Sequence, residues 1–214
     1  MPKASQRRAY DSPRRAEQAR ATRRAILDSA RDLFVSAGYV ATTIDAIAAR
    51  ARVSPETIYA TFGTKRSLLG RLIDESTAGD DAPAPILERA WVQELRAEPD
   101  PLRRAAILAR NGRLILERTA PIYEVLRGAA AADPQMASVW ERYKGQRLAG
   151  QRELIRIVTA GHGVREGWTL EGAADVLFAI GSPEVYRLLV TDRGWSADRF
   201  ETWYAEAMVR TLLA

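Results

Sequence analysis

The chain is predicted to be all-α, on three observations. Apolar side chains recur at the three-to-four-residue spacing of a buried helical stripe through most of its length. The starts of these stripes carry proline, serine or threonine, and glycine stands at several of their ends. No window shows the period-two alternation and turn spacing of a sheet.

The elements follow in order. Residues 1–15 hold Lys3, Arg7, Arg8, Arg14 and Arg15 with Pro2 and Pro13 and almost no large apolar side chain, which predicts a disordered basic arm. Ile26, Ala30, Leu33, Phe34 and Ala37 form one stripe closed by Gly38, giving a first helix over roughly 16–37. Thr42 and Asp45 have capping-box spacing ahead of Ile44, Ile47 and Ala48, giving a second helix of about two turns. Ser54 suits an N-cap, Pro55 the first helical position, where its missing N–H would lack a partner anyway, and Glu56 the positive helix end. A third helix is therefore predicted over 55–62. Gly63 breaks it, Thr64 caps the next, and Leu68, Leu69, Leu72 and Ile73 carry a fourth helix to about 78.

The DDAPAP run at 80–85 cannot continue a helix and marks a boundary. Beyond it helices follow one another, with Pro101, Pro121, Pro134, Thr169, Ser182 and Ser196 opening successive segments. Three domains are expected: the arm at 1–15, a helix-turn-helix domain with its linking fourth helix at 16–79, and a helical domain at 80–214.

Hydrophobic residues make up 47% of the 214-residue chain against 28% charged, a globular balance. The absence of cysteine excludes disulfides and thiolate chemistry. The basic N-terminal stretch lacks the apolar run of a signal peptide, and no segment reaches the roughly 18 apolar residues of a membrane span, so a soluble cytoplasmic protein without membrane contact is expected. Positive charge is segregated. Residues 1–79 contain 14 Lys and Arg against 8 Asp and Glu, whereas residues 80–214 contain 18 against 19. That distribution is the footprint of a nucleic-acid-binding part joined to a part with another task; a basic tail on a neutral protein is the plainer alternative.

Two short helices joined by a tight turn, the second with a polar outer face, describe a helix-turn-helix. Ile44, Ile47, Val53, Ile58 and Phe62 supply its small core, and Ala48 and Ala51 allow close approach. Residues 22–69, through Ile26, Ala30, Phe34, Gly38, Tyr39, Thr42 or Thr43, Ile47, Val53, Ser54, Tyr59, Phe62, Lys65 and Leu68, resemble the N-terminal domain of the TetR family of bacterial transcriptional regulators. The remaining two-thirds resembles that family only in layout. The resemblance implies a homodimeric, sequence-specific DNA-binding repressor with a small-molecule pocket in a C-terminal helical ligand-binding and dimerisation domain, released from a palindromic operator by its ligand.

Position by position, the resemblance implies that Thr43, Ser54, Tyr59 and Lys65 contact phosphate and that Pro55, Glu56, Thr57 and Ala60 face the bases. Thr57 offers a hydroxyl and a methyl, and a carboxylate such as Glu56 can accept from cytosine N4. Ser54 and Thr64 equally suit a purely capping role, and Glu56 equally serves the helix dipole. Arg52 stands where the family usually has glycine and Thr61 where histidine is common. A left-handed Arg52 costs on the order of 1 kcal/mol, so either the turn is reshaped or the strain is carried; its side chain either touches phosphate or is solvated.

In the second domain Trp91, Tyr123, Trp140, Tyr143, Arg147 and Phe178 are candidate pocket residues, since apolar walls with few polar groups make small-ligand sites. Aromatics at helical spacing also serve simply as core, and no feature selects the effector class. Val185, Leu189, Phe200, Trp203, Tyr204 and Met208 are candidates for a dimer interface. The only histidine, His162, lies in a Gly-His-Gly loop without companions for a metal or nucleophile set, so no catalytic residue, metal or cofactor is expected. Expected partners are double-stranded DNA, a second copy of the chain and a small-molecule effector. The competing readings are an architectural DNA-binding protein without ligand response and, further off, an all-α enzyme.

Removal of residues 1–13 is expected to weaken DNA binding and flatten its dependence on salt, because fewer counterions are displaced. Fluorescence anisotropy across a salt series checks this; unchanged affinity and slope would remove the arm from the interface.

Overall fold

The computed structural model describes residues 12–79 and 85–213. Helix α1 (Ser12–Ala41) begins before the predicted start, so Arg14 and Arg15 are helical rather than part of the arm; the rest of the expected arm, residues 1–11, lies outside the described residues. Pro13 stands in the first turn, where its missing donor is harmless. Gly38, at φ 79°, interrupts the helix where the sequence places its end. Helices α2 (Ile44–Ala51) and α3 (Pro55–Phe62) follow, then α4 (Lys65–Ala78).

The cap of α2 is Thr43, whose hydroxyl accepts from the Ala46 N–H at 3.1 Å. Thr42, expected there, is buried and donates to the Gly38 and Leu33 carbonyls instead. The reason is the Gly38 break, which leaves carbonyls at the end of α1 for a nearby hydroxyl to satisfy.

Contacts divide the chain into one unit ending at Leu72 and a second beginning at Ile73, a division that falls within α4. The core of the first unit is Ile26, Ala30 and Phe34 from α1, Ile47 from α2, Ile58 and Phe62 from α3, and Leu68 and Leu69 from α4. Val53 is half-buried at its edge.

The second unit contains α5 (Ala90–Ala97), α6 (Pro101–Ala132), α7 (Pro134–Val158), α8 (Leu170–Ile180), α9 (Pro183–Tyr186) and α10 (Ala197–Leu212), with a π-helical turn over Arg187–Asp192. Pro121, expected to open a new helix, lies inside α6. Its ring removes one main-chain hydrogen bond, but Ala120, Ile122 and Tyr123 beside it are buried, and that packing holds the helix through the gap. Among the described residues no strand forms; Val164 and Leu213 make one isolated antiparallel bridge.

Helix α6 packs along α7 and α10, and α7 along α8. Phe200, Tyr204 and Met208, expected at a dimer interface, are buried at the centre of their own protomer with Leu108, Ile155 and Leu177. A side chain with no exposed surface has nothing to offer a partner, so these three leave the interface; Val185, Leu189 and Trp203 stay half-buried. Tyr204 is wedged between two glycines. A Cβ on Gly112 would stand 2.9 Å from its ring, and one on Gly181 would stand 2.2 Å from its hydroxyl. At the other end of α6, buried Arg104 donates to the carbonyls of Glu98 and Ala160, closing the C-terminal end of α7.

Gly181→Ala is expected to cost about 1–3 kcal/mol, the usual penalty for overpacking a filled core. Urea unfolding of the variant checks it; wild-type stability would show that Tyr204 has room to move.

Candidate nucleic-acid interface and effector site

Helix α3 is held by two large side chains, Ile58 and Phe62, and the Arg23 guanidinium sits 4.8 Å above the Phe62 ring. Its N-terminus is closed by Ser54, which accepts from the Thr57 N–H at 3.3 Å and meets the Thr57 hydroxyl at 3.2 Å. The Glu56 carboxylate is held below its ordinary range by hydrogen bonds from its own backbone N–H and from Ser54. Ser54 and Glu56 are thus engaged in ending the helix. Thr61, at the position where histidine is common, donates to the Thr57 carbonyl at 2.7 Å. What remains outward is Tyr59, 54% exposed, with Ala60 and the half-buried Pro55 and Thr57 beside it.

Arg52 resolves one of the alternatives. Its φ of 55° and ψ of 44° are left-handed, and it is the only non-glycine with positive φ among the described residues. Its N–H returns to the Ala49 carbonyl and that of Val53 to the Ala48 carbonyl at 3.0 Å, the paired closure a glycine would make. The turn therefore keeps the left-handed geometry that suits glycine and the strain is carried; the side chain is exposed.

Lys65 is more enclosed than a simple phosphate contact requires. Its ammonium donates to the carbonyls of Tyr39 and Thr42, both at 2.9 Å, and lies 4.3 Å from the centre of the Tyr39 ring. Partial burial draws its pKa down. Lys65 thereby pins the α1–α2 connection to the start of α4, and Thr43, next in the chain, is exposed beside it.

In the second unit the candidate pocket residues fall into two groups. Tyr123 lies edge-on to Trp140 and to Tyr143, with centroids 6.1 and 6.3 Å apart. The Arg147 guanidinium stacks 3.6 Å from the centre of Phe178 and donates to the Phe178 carbonyl at 2.8 Å. Burial raises Tyr123 to about 12, and the Arg147 charge opposes part of that rise, which ties the two groups together. Trp91 packs instead against the core around Val92 and Leu95. The Tyr143 hydroxyl donates to Asp74 on α4 at 3.0 Å, and burial with that carboxylate keeps it protonated. Two further residues escaped the sequence reading. Gln151 follows Tyr143 and Arg147 at four-residue steps on one face of α7, a spacing that was there to be read. Asp74 is 69 residues from Tyr143, and no local pattern pairs them. His162 is exposed, and among the described residues no group of three metal-ligating side chains forms.

The family model for bacterial regulatory proteins of the TetR family matches residues 26–72, the segment that builds this helix-turn-helix. Over 174 residues the chain is 32% identical to the HTH-type transcriptional regulator YdeS of Bacillus subtilis, covering 79% of each chain. The chain belongs to the TetR family. It is a DNA-binding transcriptional regulator with the all-α layout of that family. The HTH-type transcriptional repressor Rv3405c of Mycobacterium tuberculosis is 42% identical over 72 residues, 31% of this chain and 38% of that one. Among solved structures, NalD, secondary repressor of the MexAB-OprM multidrug efflux pump of Pseudomonas aeruginosa, has a TM-score of 0.68 at 22% identity over 92% of this chain and 98% of its own. A transcriptional regulator of Saccharomonospora viridis in complex with choline has a TM-score of 0.65 at 18% identity, over 90% and 97%. At these identities the structures establish the shared fold. No described helix of this regulator is long and apolar enough to cross a membrane.

Arg52→Gly is expected to raise stability by roughly 0.5 kcal/mol, the relief of left-handed strain being partly offset by the freer unfolded chain. Thermal unfolding reads this directly, and a less stable variant would mean that the Arg52 side chain holds the turn.

Proposed function

We propose that the protein is a homodimeric repressor that holds a palindromic operator through paired α3 helices and leaves it when a small molecule enters the second unit. The observation that carries this reading is the outward face of α3: its caps are internally satisfied, its two large side chains are buried, and Tyr59 is left exposed on a helix of the family's reading type. Tyr59, Thr43 and Arg52 are the phosphate contacts, and the third donor of Lys65 completes them while its other two hold main-chain carbonyls. Thr57, Pro55 and Ala60 face the bases, with Ser54 and Glu56 shaping the helix start. Residues 16–79 form the reading head, and 80–214 hold the effector and the dimer contacts, to which half-buried Val185, Leu189 and Trp203 and exposed Leu188 contribute.

The route from effector to DNA runs through Tyr143. Its ring packs on Tyr123 and its hydroxyl holds Asp74, a residue of the same helix that begins with Lys65. A ligand that repositions Tyr143 moves α4, and the difference in its affinity for the DNA-free and DNA-bound states sets the coupling. The proposed function is not enzymatic.

Selection of bound sequences from a random DNA pool is expected to return a palindrome. Tyr59→Phe should then weaken operator binding about tenfold, the loss of one hydrogen bond of about 1.4 kcal/mol to a charged group. Tyr143→Phe should bind operator normally but respond less to effector. Recovery of DNA without sequence preference would favour the architectural alternative.

A further inference from the structure

Arg147 is a half-buried cation with no ion-pair partner among the described residues. Its Nη1 is taken by the Phe178 carbonyl and its face by the Phe178 ring, while its Nε is enclosed without a hydrogen-bond partner. One turn along α7, Gln151 encloses an amide oxygen that likewise has no partner. A buried donor and a buried acceptor on one helix face, both unsatisfied, are costly to the folded chain alone. An anion satisfies the Arg147 donor directly, and the Gln151 amide joins it by turning its NH2 toward the same acceptor.

Resting on the ligand-responsive reading above, the geometry points to Arg147 as the seat of a small monocarboxylate whose apolar or aromatic body is taken by Phe178, Tyr123 and Trp140. The charge balance selects the class. Other arginines of this region are neutralised: Arg127 pairs with Glu124 at 2.5 Å and Arg187 with Asp192 at 3.1 Å. Arg147 has no carboxylate within ion-pair distance among the described residues, and the acidic group that faces it is the exposed Glu184 of α9. The remaining groups that sense its charge are the phenols of Tyr123 and Tyr204, both kept neutral by burial. A single unmet positive charge is balanced by a monoanion. A cationic ligand would be repelled, and an uncharged one would leave the guanidinium as costly as before.

Access is provided from the side of Glu184. A shallow, half-open cleft is lined by Tyr123, Glu124, Arg127, Pro183, Glu184 and Arg187, and Tyr123 and Glu184 also belong to the surroundings of Arg147. Its closed volume of about 10 Å³ admits a water-sized group, far below the roughly 300 Å³ at which small-ligand pockets usually begin. A carboxylate therefore opens the cleft by moving side chains as it enters. The π-helical turn that contains Arg187 borders this cleft, and such turns accommodate local shifts in helical register.

Calorimetry and thermal melting of the full chain with benzoate, phenylacetate and octanoate, against benzamide, phenylacetamide, octanamide and choline, test the assignment. At least one carboxylate is expected to bind ten times more tightly than its amide, and choline not to compete. Arg147→Met should erase the difference. Gln151→Glu, which sets a carboxylate one turn from Arg147, should remain folded and lose the same preference. Equal binding of acid and amide, no binding by any of the three acids, competition by choline, or an undiminished preference in Gln151→Glu would overturn the site. Operator binding measured alongside separates the two readings. Carboxylate preference without release of DNA leaves the Arg147 site standing and ends the release mechanism; release by an amide or choline without that preference does the reverse.

Discussion

Lys65, Arg104 and Arg147 share one constraint, that polar groups withdrawn from water must be paired. Lys65 closes two carbonyls at the α1–α2 connection, and Arg104 closes the end of α7. Long basic side chains suit the task, since their stems pack as apolar surface while their heads carry several donors. Where the pairing is complete the backbone is locked, as around Lys65. Where it is incomplete, as at the Nε of Arg147, the fold holds an unmet demand.

The same constraint explains the reading head. An eight-residue helix is not stable by itself in water, so α2 and α3 depend on their caps and on a handful of buried side chains. Ser54 and Glu56 are used in this way, which concentrates the free chemistry of α3 onto Tyr59 and its neighbours. Arg52 shows the limit of the device. The angle between α2 and α3 requires a left-handed residue, and the fold accepts about 1 kcal/mol of strain rather than give up the Schellman closure.

In the second unit α10 approaches α6 and α8 closely at Gly112 and Gly181, between which Tyr204 lies. That wedge draws Tyr204 and its helix into the protomer core, and with them Phe200 and Met208. Val185, Leu189 and Trp203 stay half-buried and Leu188 is exposed.

By itself the sequence determined the all-α class, the ends of α3 and the helix-turn-helix, because caps, glycines and apolar stripes act within one or two turns of chain and leave a local record. The mismatch at Arg52 was visible in the same way, though its conformation was not: a left-handed turn and a reshaped one obey the same residue pattern. Only the tertiary structure decided that Thr43 rather than Thr42 caps α2, that α6 runs through Pro121, and that Phe200, Tyr204 and Met208 face inward. It also decided that Trp91 belongs to the core while Tyr143 reaches Asp74 and Arg147 reaches Phe178. These outcomes depend on which groups meet across tens of residues, and burial and hydrogen-bond pairing between distant helices leave no periodic trace in the chain that carries them.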